Sequence, residues 1–194
     1  MKTDIVLAGV GGQGILSIAT ILGAAALKEG LYIKQAEVHG MSQRGGDVQS
    51  NLRISSNQIA SDLIPLGGAD LIVSLEPMEA LRYLPYLSAE GWIVTNTTPF
   101  INIENYPETE ALEKELFAHD HVVAFDMDAM AKKTATARSS NMVLLGAAAP
   151  FIEIEKEKIE DGIRTVFGAK GEAIVESNLK AFRAGYDYAM TLKK

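Results

Sequence analysis

The feature that most constrains this chain is a glycine-rich turn between two apolar segments. Residues 5–8 form a short apolar run, which is predicted to be a buried parallel strand. Residues 15–28 are rich in Ala, Leu and Ile and are predicted to form a helix. The turn between them follows the pattern G-x-G-x-x-G with one extra glycine, and its glycines are Gly9, Gly11, Gly12 and Gly14. With a second strand predicted over residues 32–38, the chain opens as a βαβ unit.

This turn has two interpretations. Glycines allow close backbone approach, and a helix N-terminus offers free N–H groups to an anion, so the loop is a candidate phosphate-binding site. A dinucleotide site also needs an acidic residue about 20 positions further on, to hold the ribose. That position falls near Lys34 and Gln35, while Glu37 is close but directly precedes an unusual loop. The alternative is a packing turn that joins strand and helix and binds nothing.

The remaining pattern predicts an α/β fold. Residues 48–54 alternate as a strand too close to the previous one for a crossover helix, so this strand is expected to be antiparallel. Residues 58–63 are a candidate return strand. Further strands are predicted at 70–75, 92–96 and 122–125. Helices are predicted from Pro77, around 129–133, from Ser140 or Asn141 through 148, and near 155–167 and 172–190. The prediction is one domain over residues 1–194: a three-layer α/β/α sandwich with a mostly parallel, mixed central sheet.

Composition excludes several classes of function. Eighteen Lys and Arg against 25 Asp and Glu give a net charge of −7, which argues against nucleic acid or an anionic membrane as a partner. The absence of cysteine excludes a thiolate nucleophile and a Cys-ligated zinc or iron–sulfur cluster within this sequence. The N-terminal apolar run is too short for a signal peptide, so we expect a cytoplasmic protein.

The most informative stretch is a polar loop at residues 39–46, His-Gly-Met-Ser-Gln-Arg-Gly-Gly. Two glycines after the arginine remove side-chain bulk beside its guanidinium, which can then pair with a phosphate or carboxylate. The loop follows a predicted strand, where open α/β sheets place ligands. An exposed turn with a solvated arginine is the alternative. The candidate cofactor-binding residues of this loop are His39, Ser42, Arg44, Gly45 and Gly46.

The order and spacing of four motifs resemble the gamma-type domain of 2-oxoacid:ferredoxin oxidoreductases. The resemblance runs from about residue 5 to residue 148, and the C-terminal helices carry little signature. The loop is closer to the indolepyruvate-type beta subunits than to the pyruvate-type gamma subunits, which usually have Gly-x-Glu-x-Arg-Gly-Gly. The motifs are the glycine turn at 9–14, the loop with its lead-in at 37–46, Glu76-Pro77, and the apolar helix start at 141–147.

The resemblance implies a division of labour between subunits. The assembled enzyme would oxidatively decarboxylate an aryl 2-oxoacid such as indole-3-pyruvate, form an acyl-CoA and CO2, and reduce ferredoxin. Thiamine diphosphate and the iron–sulfur clusters would belong to a large alpha subunit. Thiamine supplies the carbanion chemistry, so this chain would need no catalytic residue and would be inactive alone.

Other candidates and rival functions have simpler explanations. His119-Asp120-His121 lacks a nearby third ligand and is expected in a surface turn. Asp126 or Asp128 suits a helix cap, Glu76 suits either a cap or the ligand crevice, and Ser139-Ser140-Asn141 suits either a cap or an anion site. The rivals to an indolepyruvate-type subunit are a gamma subunit for pyruvate or another 2-oxoacid, a free-standing NAD(P)-binding dehydrogenase, and a scaffolding domain.

Overall fold

The computed structural model describes residues 1–39 and 45–192, and for His39 it describes the backbone alone. The strands in these ranges are β1 (Lys2–Val10), β2 (Tyr32–His39), β3 (Asp47–Ser55), β4 (Ala69–Ser74), β5 (Leu87–Asn96) and β6 (Val122–Phe125). The helices are α1 (Ile15–Lys28), α2 (Pro77–Arg82), α3 (Thr109–Leu116), α4 (Met127–Thr134), α5 (Ser140–Ala148), α6 (Lys156–Phe167) and α7 (Glu172–Leu192). None of these helices is both long and apolar enough to cross a bilayer.

The strands form one mixed sheet in the order β2-β3-β1-β4-β5-β6. Strands β1, β4, β5 and β6 pair in parallel. Strand β3 runs antiparallel to both of its neighbours, β1 and β2. The predicted mostly parallel, mixed sheet is therefore confirmed. The opening βαβ unit has β3 inserted between its two strands, since the short connection from β2 permits only a hairpin.

Helices cover both faces of the sheet. Side chains alternate along a strand, so Ile5 and Leu7 of β1 face one core while Val6 and Ala8 face the other. The first core is closed by α1, α4, α5, α6 and α7. The second is smaller and is closed by α2 and α3. The predicted three-layer α/β/α arrangement is confirmed.

Helices α5 and α7 pack backbone against backbone through two glycines. A β-carbon on Gly146 would lie 1.9 Å from the carbonyl oxygen of Phe182, and one on Gly185 would lie 2.0 Å from that of Val143. No side chain fits at either position, because protein interiors leave no such spare volume. The position of α5 is thus fixed by α7.

The structure corrects two strand predictions. Strand β1 continues to Val10, so Gly9 belongs to the strand rather than to the turn. Residues 58–63 form no strand, so the candidate return strand was wrong. Instead, the Arg53 guanidinium donates to the carbonyl oxygens of Ser61 and Leu63 at 3.1 and 3.0 Å. A side chain thereby satisfies carbonyl groups that a sheet ladder would otherwise have paired.

Candidate functional site

A cleft of about 440 Å³ lies at the carboxyl ends of the central strands. The chain leaves β1 through α1 on one face, and it leaves β4 through α2 on the opposite face. The connections therefore diverge between β1 and β4, and such a switch point is where open α/β sheets bind ligands. The cleft is lined by Gly12, Gln13, Leu75, Asn96, Phe100, Asp128, Ala137, Arg138, Ser140 and Asn141.

The side chain of Gln13 links the glycine turn to the end of β1 and to the residue that follows β4. Its Oε1 accepts from the backbone N–H of Val10 at 2.8 Å, and its Nε2 donates to the carbonyl oxygen of Leu75 at 3.4 Å. Gly14 begins α1 with a left-handed φ of +83°, which favours glycine. The Asn141 Nδ2 donates to the Gly14 carbonyl oxygen at 3.2 Å, and a β-carbon on Gly14 would lie 2.7 Å from that nitrogen. The turn is therefore connected to α5.

The two glycine motifs of the sequence meet in space. The N–H of Gly11 donates to the carbonyl oxygen of Gly46 at 2.8 Å, and the N–H of Gly45 donates to the carbonyl oxygen of Gly11 at 3.5 Å. The Gly11 N–H is consequently used within the protein, whereas Gly12 faces the cleft. His39 ends β2. Ser42 and Arg44 lie outside the described residues.

Arg138 is a charged cleft residue that the sequence patterns did not single out. Its side chain is exposed, and its guanidinium has no hydrogen-bond or ion-pair partner within residues 1–39 and 45–192. It lies two residues before α5, which begins without a side-chain cap, and the Met142 N–H of that helix donates to the Ser139 carbonyl oxygen at 3.0 Å. Within the described residues, the first-turn donors left for an anion are therefore the N–H groups of Ser140 and Asn141. The signal in the sequence was a cation immediately before a Ser-Ser-Asn helix start.

One carboxylate also lines the cleft, and its oxygens are occupied. Asp128 Oδ2 accepts from the Asn96 Nδ2 at 3.1 Å, and Oδ1 accepts from the Ser140 hydroxyl. These bonds disperse the negative charge of Asp128 over polar neighbours. Arg138 and the α5 N-terminus supply the opposing positive potential. The arrangement suits a phosphate or carboxylate held on the Arg138 side of the cleft.

Glu76 is a buried structural carboxylate. It caps α2, because its Oε2 accepts from the Glu79 N–H at 2.9 Å. Its Oε1 accepts from the Tyr106 hydroxyl and, at 3.4 Å, from the Phe100 N–H. Burial raises the pKa of Tyr106, and the hydrogen bond to Glu76 raises it further. Of the two roles that the sequence left open for Glu76, the structure shows the cap.

The remaining candidates are structural in the described residues. Asp126 caps α4 by accepting from the Ala129 N–H. His121 stacks on Trp92 at 4.8 Å between ring centroids, beside the amino end of β6. Within residues 1–39 and 45–192, no group of His, Asp and Glu side chains could hold a metal ion. The expected surface turn before β6 is present.

The sheet order also bears on dinucleotide binding. In a dinucleotide site, the acid that holds the ribose stands at the end of the strand beside the glycine turn. Here β3 separates β1 from β2, which moves Glu37 one further strand spacing away. The Glu37 carboxylate instead accepts from the Gln35 amide at 2.7 Å. This geometry leaves the glycine turn without a neighbouring Glu37 carboxylate to hold a ribose.

Residues 4–188 match the family model described as pyruvate ferredoxin/flavodoxin oxidoreductase, and the chain belongs to that family.

Among individual proteins, the chain is 36% identical to indolepyruvate oxidoreductase subunit IorB of Archaeoglobus fulgidus, over 98% of this chain and 97% of that protein. It superposes with a TM-score of 0.71 and 25% identity on the keto/oxoacid ferredoxin oxidoreductase gamma subunit of Geobacter sulfurreducens, over 97% of this chain and 99% of that one. It also shares its fold, with a TM-score of 0.78 and 24% identity, with a chain of the 2-oxoglutarate:ferredoxin oxidoreductase of Magnetococcus marinus, solved with 2-oxoglutarate, coenzyme A and succinyl-CoA bound. All of the present chain matches 32% of that longer chain.

Proposed function

We propose that this chain is the small subunit of a thiamine-dependent indolepyruvate:ferredoxin oxidoreductase. The assembled enzyme converts indole-3-pyruvate or a related aryl pyruvate, with CoA, to the arylacetyl-CoA and CO2, and it transfers two electrons to ferredoxin. The observation that most directly supports this proposal is the 36% identity with the indolepyruvate oxidoreductase subunit over nearly the whole of both chains. A subunit for pyruvate or another 2-oxoacid is the second candidate, favoured by the fold shared with the 2-oxoglutarate enzyme.

In this proposal the redox cofactors belong to a large alpha subunit. The sequence contains no cysteine to ligate an iron–sulfur cluster. Thiamine diphosphate, bound by the partner, supplies the carbanion chemistry. The part left to this chain is to bind the partner and to orient an anionic group. The expectations of one domain over residues 1–194 and of action in the cytoplasm stay predictions.

The cleft is the proposed site for that anionic group. Arg138 and the first turn of α5 give one side of the cleft a positive potential. Gly12 of the glycine turn lines the same cleft and has no side chain to obstruct a ligand. The group is a phosphate of CoA or a carboxylate of the partner, and both are recognised by the same donors. Of the residues predicted from the sequence as cofactor-binding, Gly12 lines the cleft. The others stay predictions, and they are Gly9, Gly11, Gly14, His39, Ser42, Arg44, Gly45 and Gly46.

Reconstitution tests the proposed function. The purified chain is expected to show no oxoacid oxidation, and activity is expected when it is mixed with the large subunit of the same organism. Indole-3-pyruvate, pyruvate and 2-oxoglutarate are compared as substrates, with CoA and a ferredoxin or viologen acceptor. A higher kcat/KM for pyruvate would establish the second candidate. Turnover by the isolated chain, or a micromolar affinity for NAD, would favour the dehydrogenase.

A further inference from the structure

An exposed apolar segment borders the cleft. Phe100, Ile101 and Ile103 lie between β5 and α3 and are 45%, 70% and 43% exposed. Single exposed apolar residues are ordinary on a protein surface, but three within four positions form a local concentration. We call these three residues the apolar rim. Their position after β5 places them at the carboxyl edge of the sheet.

The rim is held in place by hydrogen bonds at three points. The Phe100 N–H donates to the buried Glu76 carboxylate at 3.4 Å, and the Tyr106 hydroxyl donates to the same carboxylate. Between them, the Asn102 Nδ2 donates to the carbonyl oxygen of Gly45 at 2.7 Å. A segment that is already ordered loses little conformational entropy when another surface covers it. The rim therefore has the properties of a preformed contact surface.

The rim is continuous with the proposed anion site. Phe100 itself lines the cleft together with Arg138. Asn102 contacts the loop that carries Gly45 and Gly46, which in turn pairs with Gly11. A protein bound to the rim would consequently cover one wall of the cleft. Its own side chains would then lie close to Arg138.

The relatives indicate which protein would bind the rim. In the Magnetococcus marinus enzyme, the equivalent of this chain is 32% of a longer polypeptide, so there the domain is covalently joined to further parts of the enzyme. The Archaeoglobus fulgidus subunit matches over 97% of its length and has no such additional parts. A subunit of that kind must be retained by a non-covalent surface. Aromatic and apolar side chains are what the buried centre of such interfaces contains.

We propose that the apolar rim is where the large thiamine-binding subunit docks, with Ile101 at the centre of the contact. This inference rests on the proposed function, because it takes its partner from it. Docking there places the large subunit beside the cleft. The rim thus aligns an anionic group held by this chain with the catalytic centre of the partner.

Two aspartate substitutions test the docking surface. Ile101→Asp places a charge in the centre of the rim. Leu66→Asp is the matched control, since Leu66 is 69% exposed but precedes β4 at the opposite edge of the sheet. Calorimetric titration against the purified large subunit should show an affinity for Ile101→Asp at least about tenfold below wild type. Leu66→Asp should match wild type, and all three chains should have the same melting temperature.

Each outcome separates the two proposals. Wild-type affinity for Ile101→Asp, with normal binding and turnover by the wild-type pair, overturns the docking surface and leaves the proposed function intact. If Ile101→Asp alters only self-association of the isolated chain, the rim is a contact between copies and the docking proposal is wrong. If the wild-type chain neither binds the large subunit nor restores turnover, the proposed function itself fails. An equal loss in both variants would also reject a specific role for the rim.

Discussion

In the part of the chain that the structure describes, a buried charged side chain is paired at one edge of the sheet and an exposed one is unpaired at the other. At the amino edge, the buried Asp4 carboxylate accepts from Arg53 through two bonds of 2.8 and 2.9 Å and pairs with Lys2 at 2.9 Å. At the carboxyl edge, the guanidinium of Arg138 has no partner within the described residues. Burying paired charges fixes structure, whereas an unpaired cation beside free N–H groups remains available to a ligand. We therefore expect the charges at the amino edge to contribute mainly to stability and the cation at the carboxyl edge to contribute mainly to ligand binding.

The amino edge should give the largest loss of stability. Within the described residues, Arg53→Ala leaves the 1% exposed Asp4 with the exposed Lys2 as its one charged partner. A buried carboxylate that keeps only this solvent-exposed partner should lower the free energy of unfolding by about 3 kcal/mol in urea titrations. The folded fraction should still support wild-type turnover in the assembled enzyme. A loss of turnover without a loss of stability would reverse the assignment of the two edges.

The carboxyl edge should respond to arginine removal in the opposite sense. Arg138→Ala should change the free energy of unfolding by less than about 0.5 kcal/mol, because it removes no side-chain hydrogen bond or ion pair found within the described residues. Losing a charge-assisted pair of about 1.5–3 kcal/mol should lower the apparent affinity for CoA, or for the large subunit, by at least about tenfold. Lys114→Ala on α3 is the control, since it removes an exposed cation away from the cleft. Unchanged affinities for both ligands would show that Arg138 is merely solvated.

The same titrations decide between two arginines. Arg44→Ala is predicted to fold normally and to lose at least about tenfold in affinity for the large subunit or for CoA. If Arg138→Ala weakens CoA and Arg44→Ala weakens only the subunit contact, the two arginines have separate partners. Wild-type values for Arg44→Ala would reject its place in the site and leave Arg138 as the cation of this edge.

A smaller effect is expected where a structural carboxylate occurs at the carboxyl edge. Tyr106→Phe removes one donor from the buried Glu76 and should lower the free energy of unfolding by about 1–2 kcal/mol. Tyr86→Phe is the matched control, since its hydroxyl has no hydrogen-bond partner in the described part of the chain. Equal losses in the two variants would mean that removing any tyrosine hydroxyl, rather than breaking the bond to Glu76, explains the effect.

The smallest effect concerns pH. Burial raises the pKa of Glu79 above its ordinary value of 4.5, and the hydrogen bond from Arg82 opposes that shift. The folded state therefore holds this proton more tightly than the unfolded state, so its contribution to stability is present below pH 4.5 and is lost as the pH rises through the raised pKa. The stability of wild type relative to Glu79→Gln should decline across that window in urea titrations. Parallel stability curves for the two proteins would contradict the shift.

The sequence predicted what depends on local pattern. The βαβ opening, the antiparallel third strand, the helix start at Pro77 and the placement of both glycine motifs at strand ends were confirmed. It did not predict that β3 would separate β1 from β2, because strand order is decided by non-local packing. Nor could it show that Glu76 is used as a cap, or that the Arg138 guanidinium lacks a partner among residues 1–39 and 45–192. Both facts depend on which distant side chains approach them.

The glycine crossing of α5 on α7 has a consequence for how the protein is made. The packing of Gly185 against Val143 helps to position the donors at the start of α5, and α7 is synthesised after every residue that lines the cleft. During translation, the cleft residues therefore emerge before the helix that positions them. Assembly with another subunit during synthesis would meet an incomplete surface, so the order of translation itself favours folding first and association afterwards.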